Sequence, residues 1–199
     1  MAGLSGPVRL LEQAIRYATG SVDSVVDGFG SLPTPCVEWD LHALLLHLND
    51  SIAALQQGVE FGHVAVDESR GPQDPTCVLV TSFRSRVQRL LSSCRTGAPA
   101  GRLVTVDGVS LPTGKVVVTG AVEVAVHGWD ISVACGNHRP IPDPLALGML
   151  TLSQLMVDDG MRASLFGPPV AVSPLAGPSD QLVAFLGRHP VPSATSSPR

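Results

Sequence analysis

Glu123 and His127 stand four residues apart in a run of Val and Ala. In a helix the two side chains would share a face, with Cβ atoms roughly 5 to 6 Å apart. A carboxylate among apolar residues is costly unless it is paired or coordinated. A divalent cation would neutralise it, and Glu and His are acceptable ligands for zinc or a similar metal. In a strand the same pair would lie about 13 Å apart, at roughly 3.3 Å per residue, too far for one ion to bridge. The metal expectation and the helix expectation therefore stand or fall together. A third ligand must come from elsewhere in the chain. His47 is the best-placed candidate, flanked by Leu44, Leu45, Leu46 and Leu48. His42 is expected to face solvent, while His63, His138 and His189 fall in loops or the tail. Two plainer roles fit the same residues: a core histidine satisfied by one hydrogen bond, and a simple Glu–His ion pair. A third leaves the metal out and has Glu123, its pKa raised by burial, act with His127 as general acid and base.

The elements that must hold these residues can be read from periodicity. Val8, Leu11, Ile15, Ala18, Val22 and Val25 recur at helical spacing and predict a first helix over about 8–26, with Ser5 as N-cap and Pro7 in its first turn. A second helix begins after Asp40, a good N-cap, with Trp39 placed to staple onto Leu44. Its core stripe is Leu41, Leu44, Leu45, Leu48, Ile52 and Leu55. Residues 58–75, rich in Gly, Asp and Pro, read as a long loop of the kind that is usually functional or mobile. A third helix covers about 76–94, and alternation around Asp107-Gly108 predicts a short hairpin over 103–111. The segment 115–134 is Val-rich and favours a strand by propensity. Its length, well beyond a typical strand, decides for a buried helix. A fifth helix is expected over about 144–159 and a short one over 179–186. These describe one all-α domain over residues 1–188, followed by a Pro/Ser/Thr-rich tail, 189–199, expected to be disordered.

Composition narrows the function classes. The chain has 199 residues, 44% hydrophobic and 15% charged, a net charge of -4 and a pI near 5.8. That balance argues against nucleic acid as a partner. Arg84, Arg86 and Arg89 can line one helix face, where they read as solvated charges. No leader pattern opens the chain and no uninterrupted apolar run has membrane-spanning length, so a soluble, cytoplasmic protein is expected, monomer or homodimer. Cys36, Cys77, Cys94 and Cys135 form no C-x-x-C pair and are expected to be small buried hydrophobes.

Two segments carry a family resemblance. The run Cys36-Val37-Glu38-Trp39-Asp40-Leu41-His42-Ala43-Leu44-Leu45-Leu46-His47-Leu48 resembles the C-x-x-W-D-x-x-x-L-x-x-H start of the second helix in mycothiol-dependent maleylpyruvate isomerase-like proteins, part of the wider DinB-like superfamily. The run Glu123-Val124-Ala125-Val126-His127-Gly128-Trp129-Asp130 is similar to that family's E-x-x-x-H-G-W-D signature. The close, Asp180 to Pro190, is similar to the end of a short, single-domain, metal-binding branch. The resemblance follows nearly the whole chain in order and spacing. It implies a DinB-like four-helix bundle, with further C-terminal helices here, and His47, Glu123 and His127 as three protein ligands to one divalent metal, most simply zinc. Three protein ligands leave one position open to water or substrate.

For activity, the resemblance implies a metal-dependent isomerase or thiol transferase in which the metal activates mycothiol toward a small electrophilic metabolite. It also suggests that Asp40 or Asp130 orients a ligand, although Asp40 already has an N-cap role and Trp39 and Trp129 suit bundle packing. One departure stands out. The isomerase carries a further C-terminal domain that helps form its active site, whereas about fifty residues follow Leu150 here. Two other readings of the same bundle are a metal-independent isomerase or cyclase of a biosynthetic pathway, and a non-catalytic small-molecule-binding or stress-response module.

Overall fold

The computed structural model describes residues 6–37, 39–64, 74–96, 102–106, 108–157, 160, 162 and 166–190. Helix α1 spans Gly6–Val22, and a 3-10 turn follows at Phe29–Ser31. Helix α2 spans Leu41–Phe61 and α3 spans Thr76–Thr96. Strands β1, Leu103–Val106, and β2, Val109–Pro112, form an antiparallel hairpin with Leu103 opposite Pro112. Helix α4 spans Thr113–Ala134, α5 spans Asp143–Met156 and α6 spans Pro178–Phe185. The first four helices are the bundle: α1 packs chiefly on α4, and α2 packs on both α3 and α4, while α5 and α6 pair with each other.

Helix α4 is the element on which the site depends, and tertiary burial decides its conformation. Val117, Val122, Val124, Val126 and Ile131 are all buried, and so are Ala121 and Ala125. A β-branched side chain loses little by being helical when packing on all sides supplies the stability that propensity withholds. Helix α4 is long and apolar enough to cross a membrane by length and composition, yet most of it is enclosed by the bundle. Gly128 lets α1 come close: a Cβ there would stand 2.8 Å from the Ala18 Cα.

Local signals set most of the other boundaries. The Asp40 carboxylate accepts from the Ala43 N–H at 2.8 Å, capping α2, and Gly62 closes it at φ 78°. Gly108, at φ 78°, makes the hairpin turn. Helix α1 stops at Val22 rather than near Val26. Ser24 Oγ donates to the Ser21 carbonyl at 2.6 Å, and the Ser24 and Val25 N–H groups bond only three residues back. This side-chain competition tightens and ends the last turn. Helix α2 runs four residues into the loop expected from Gly58, ending at Phe61, and α5 is helical through Met156. Ser5, residues 65–73, Asp158, Asp159 and residues 191–199 lie outside the described residues, so the N-cap, half of the long loop, the last residues expected of the fifth helix and most of the tail do too. The four cysteines are free but not fully buried: Cys77 is exposed on α3 and the other three are half-buried.

Candidate metal centre

Helices α2 and α4 bring three donor side chains to one point. His47 sits in the second turn of α2, and Glu123 and His127 sit one turn apart in mid-α4. One donor atom from each of His47, Glu123 and His127 lies within 4.8 Å of the other two. His47 Nε2 stands 3.0 Å from Glu123 Oε1, and the imidazoles of His47 and His127 meet edge to face at 5.1 Å between centroids. Donors around a tetrahedral zinc stand about 3.3 Å apart, given bond lengths of about 2.0–2.2 Å. A small contraction of this set would therefore enclose such an ion. The side chains of His47 and Glu123 keep 36% and 33% of their surface open, so this side of the cluster can be reached from solvent.

Behind the cluster the surroundings are closed. His127 Nδ1 lies 3.0 Å from Asp130 Oδ2, one turn further along α4. A carboxylate on one ring nitrogen fixes the proton there and leaves Nε2 as the donor facing Glu123 and His47. Asp130 is fully buried and also receives Arg188 Nη2 and the Cys36 thiol, each at 3.3 Å. Trp39 lies against both imidazoles, at 4.4 Å from His47 and 5.9 Å from His127 between ring centroids. The tryptophan expected to staple the start of α2 thus walls the site.

Charge and hydrogen bonding outweigh burial at the two carboxylates. Burial alone would raise the Glu123 pKa, but the hydrogen bond from His47, the charge of His127 and the hydrogen bond from Ser51 Oγ, at 2.5 Å, hold it below the ordinary carboxylate value. The expectation of a raised Glu123 pKa is therefore corrected: among these donors the carboxylate is stabilised more than desolvation destabilises it. For Asp130 burial is again opposed, by His127 and Arg188, and its pKa is also lowered. Cys36 moves the other way. Burial and the neighbouring Asp130 carboxylate push its thiol up to about 12, so it stays protonated and donates.

Ser51, Cys36 and Arg188 escaped the sequence reading as parts of this cluster. Ser51 follows His47 by one helical turn on the same face, a spacing that could have found it. Cys36 and Arg188 reach Asp130 across 94 and 58 residues of chain, and no local pattern signals that. Of the remaining candidates, His42 is half-buried rather than solvent-facing, its Nε2 2.8 Å from the Asp74 carbonyl. Arg84 forms an ion pair with Asp23 on the half-exposed surface. Trp129 is buried in the bundle and Asp40 caps α2.

Comparison with known proteins agrees with this architecture. The family described as the mycothiol maleylpyruvate isomerase N-terminal domain matches residues 11–132. A crystal structure of the mycothiol-dependent maleylpyruvate isomerase superposes with a TM-score of 0.60 at 16% identity, over 75% of this chain and 68% of that one. A histidine-to-alanine mutant of that enzyme gives 0.57 over the same shares. Two uncharacterized Mycobacterium tuberculosis proteins, MT0763 and Rv0738, are each 27% identical over 165 residues, 78% of this chain and 83% of theirs.

Proposed function

Because the chain belongs to the mycothiol maleylpyruvate isomerase N-terminal domain family, we propose that it is a divalent-metal enzyme that uses a small thiol, of the mycothiol kind, on a small electrophilic metabolite. The observation that carries this reading is the convergence of two imidazoles and a carboxylate within 4.8 Å, open on one side and backed by Asp130 on the other. The donor set fits the ion: two neutral nitrogens and one anionic oxygen suit zinc and its neighbours in the divalent series. His47, Glu123 and His127 would hold it. Bound there, the metal would supply Lewis acidity and keep a thiol at the open side as thiolate near neutral pH.

The chain's own groups do the rest. Glu123 stays ionised and brings one negative charge to the cation. Ser51 holds Oε1 of Glu123 in place. When neutral, His127 would give its Nδ1–H to Asp130 and keep its Nε2 lone pair on the site. Trp39 covers the two rings and limits water on that flank. Cys36, held protonated, leaves an incoming thiol as the available sulfur nucleophile in this cluster. Addition to, transfer to, or thiol-assisted isomerisation of an electrophilic carbon are the reactions such a site supports.

Metal analysis of protein purified without chelators tests the proposal, together with a thiol-addition assay. One equivalent of divalent metal, lost in His47→Ala with the helical content unchanged, is the expected result. Protein that is metal-free as purified and takes up neither zinc, nickel nor manganese would reject it. A metal-free acid–base reading draws on the His47–Glu123–Ser51 hydrogen-bond set, which closes on itself without an ion. The lowered Glu123 pKa makes that carboxylate a base at neutral pH and not an acid. Turnover indifferent to chelator would favour this second reading.

A further inference from the structure

Cys36, His127 and Asp130 form a second group of donor atoms lying within 4.8 Å of one another, sharing His127 with the first. Taken alone it has the composition of another metal site. A cation already occupies it: Arg188 Nη2 stands 3.3 Å from both Asp130 Oδ2 and Cys36 Sγ. The Arg188 side chain is only 11% exposed and Asp130 not at all. We infer that Arg188, delivered from the end of α6, is a positioning residue that holds Asp130 in the orientation that fixes His127, and so completes the donor set from the C-terminal side. This rests on the proposed ligand role of His127, but the contact itself does not.

The chain is built to deliver that guanidinium. After α6, the Gly187 N–H bonds the Ala184 carbonyl at 3.0 Å and the Arg188 N–H bonds the Val183 carbonyl at 2.9 Å, a Schellman pair of bonds. The motif needs a left-handed residue at Gly187, which has φ 84°. It needs bare backbone there for a second reason, since a Cβ on Gly187 would stand 2.7 Å from the Gly167 Cα. Arg188 leaves this turn toward the bundle and anchors its Nη1 on the Leu186 carbonyl at 2.9 Å. The sum is a buried cation on a backbone turn with little freedom to move. A buried carboxylate without its counter-cation has no reason to keep one orientation, and the His127 Nδ1–H would lose its fixed acceptor. Arg188 touches neither the donor cluster's open side nor any of its three ligand atoms, so its influence passes through Asp130.

The test reads the His127 ring directly by 15N NMR of the full-length, metal-free protein, alongside zinc affinity by chelator competition. In the wild type, His127 should be a single tautomer with the proton on Nδ1. Arg188→Ala should give a tautomer mixture and weaken zinc binding about tenfold, the low end for loss of a group behind a metal ligand. Arg188→Lys, which keeps a cation near Asp130, should restore the single tautomer and most of the affinity. Gly187→Ala should reproduce the Arg188→Ala spectrum with Arg188 intact. An unchanged His127 tautomer in folded Arg188→Ala would overturn the inference, and so would loss of thermal stability alone, equal in the Ala and Lys variants. A wild type that takes up no zinc while the tautomer responds as stated would remove the metal proposal and leave Arg188's role standing.

Discussion

The two sides of the donor cluster differ in almost every physical respect, although one helix serves both. On the open side His47 and Glu123 are about a third exposed and are linked to each other and to Ser51. On the closed side His127 and Asp130 are 9% and 0% exposed, and Arg188 and Cys36 fill the space behind them. The open side is in contact with solvent. The closed side cannot change without leaving a buried charge unmatched. One face of α4 is thus buried and paired from behind while its front stays open to solvent.

Substitutions that separate the two sides should be unequal in effect. Asp130→Ala strips the closed side and strands Arg188, so it should cost about 3–5 kcal/mol of stability in urea denaturation and weaken zinc binding about a hundredfold. A loss below about 1 kcal/mol would mean that the closed side is not closed. His47→Ala should abolish metal binding in elemental analysis yet leave stability within about 0.5 kcal/mol, as for a partly exposed position. Equal destabilisation by these two changes would dissolve the contrast. Ser51→Ala removes only a partner of Glu123, so zinc affinity should fall about tenfold with a small change in melting temperature. The smallest perturbation is chemical. In iodoacetamide labelling followed by peptide mass analysis, exposed Cys77 should react first. Cys36, pushed up to about 12, and Cys94, pushed up to about 11 by burial, should react about tenfold more slowly or less. Fast labelling of Cys36 would place the closed side in contact with solvent.

Much of the bundle was legible before any coordinates. The α2 stripe from Leu41 to Leu55, the Asp40 cap and the hairpin turning at Gly108 are short-range features, and the structure contains each of them. The conformation of 115–134 was the harder inference. Valine content pointed one way and segment length the other, and burial settled it as helix. The end of α1 was less legible because that boundary turns on single competing hydrogen bonds, such as that of Ser24, which leave no periodic trace. Reading all four cysteines as buried hydrophobes failed at Cys77, which lies on the outer face of α3.

The sequence by itself determined that Glu123 and His127 share a face, since a four-residue step on a helix fixes that whatever surrounds it. It also supplied His47 at a position from which α2 could meet them. Only the tertiary structure decided that Asp130 looks inward to His127 and not outward, that Trp39 rests on the imidazoles, and that a guanidinium from beyond α6 ends beside a thiol from before α2. Local geometry is set by the backbone's own repeat. Contacts between residues 58, 94 and 152 positions apart depend on how whole helices pack, and that is encoded in no single stretch of chain.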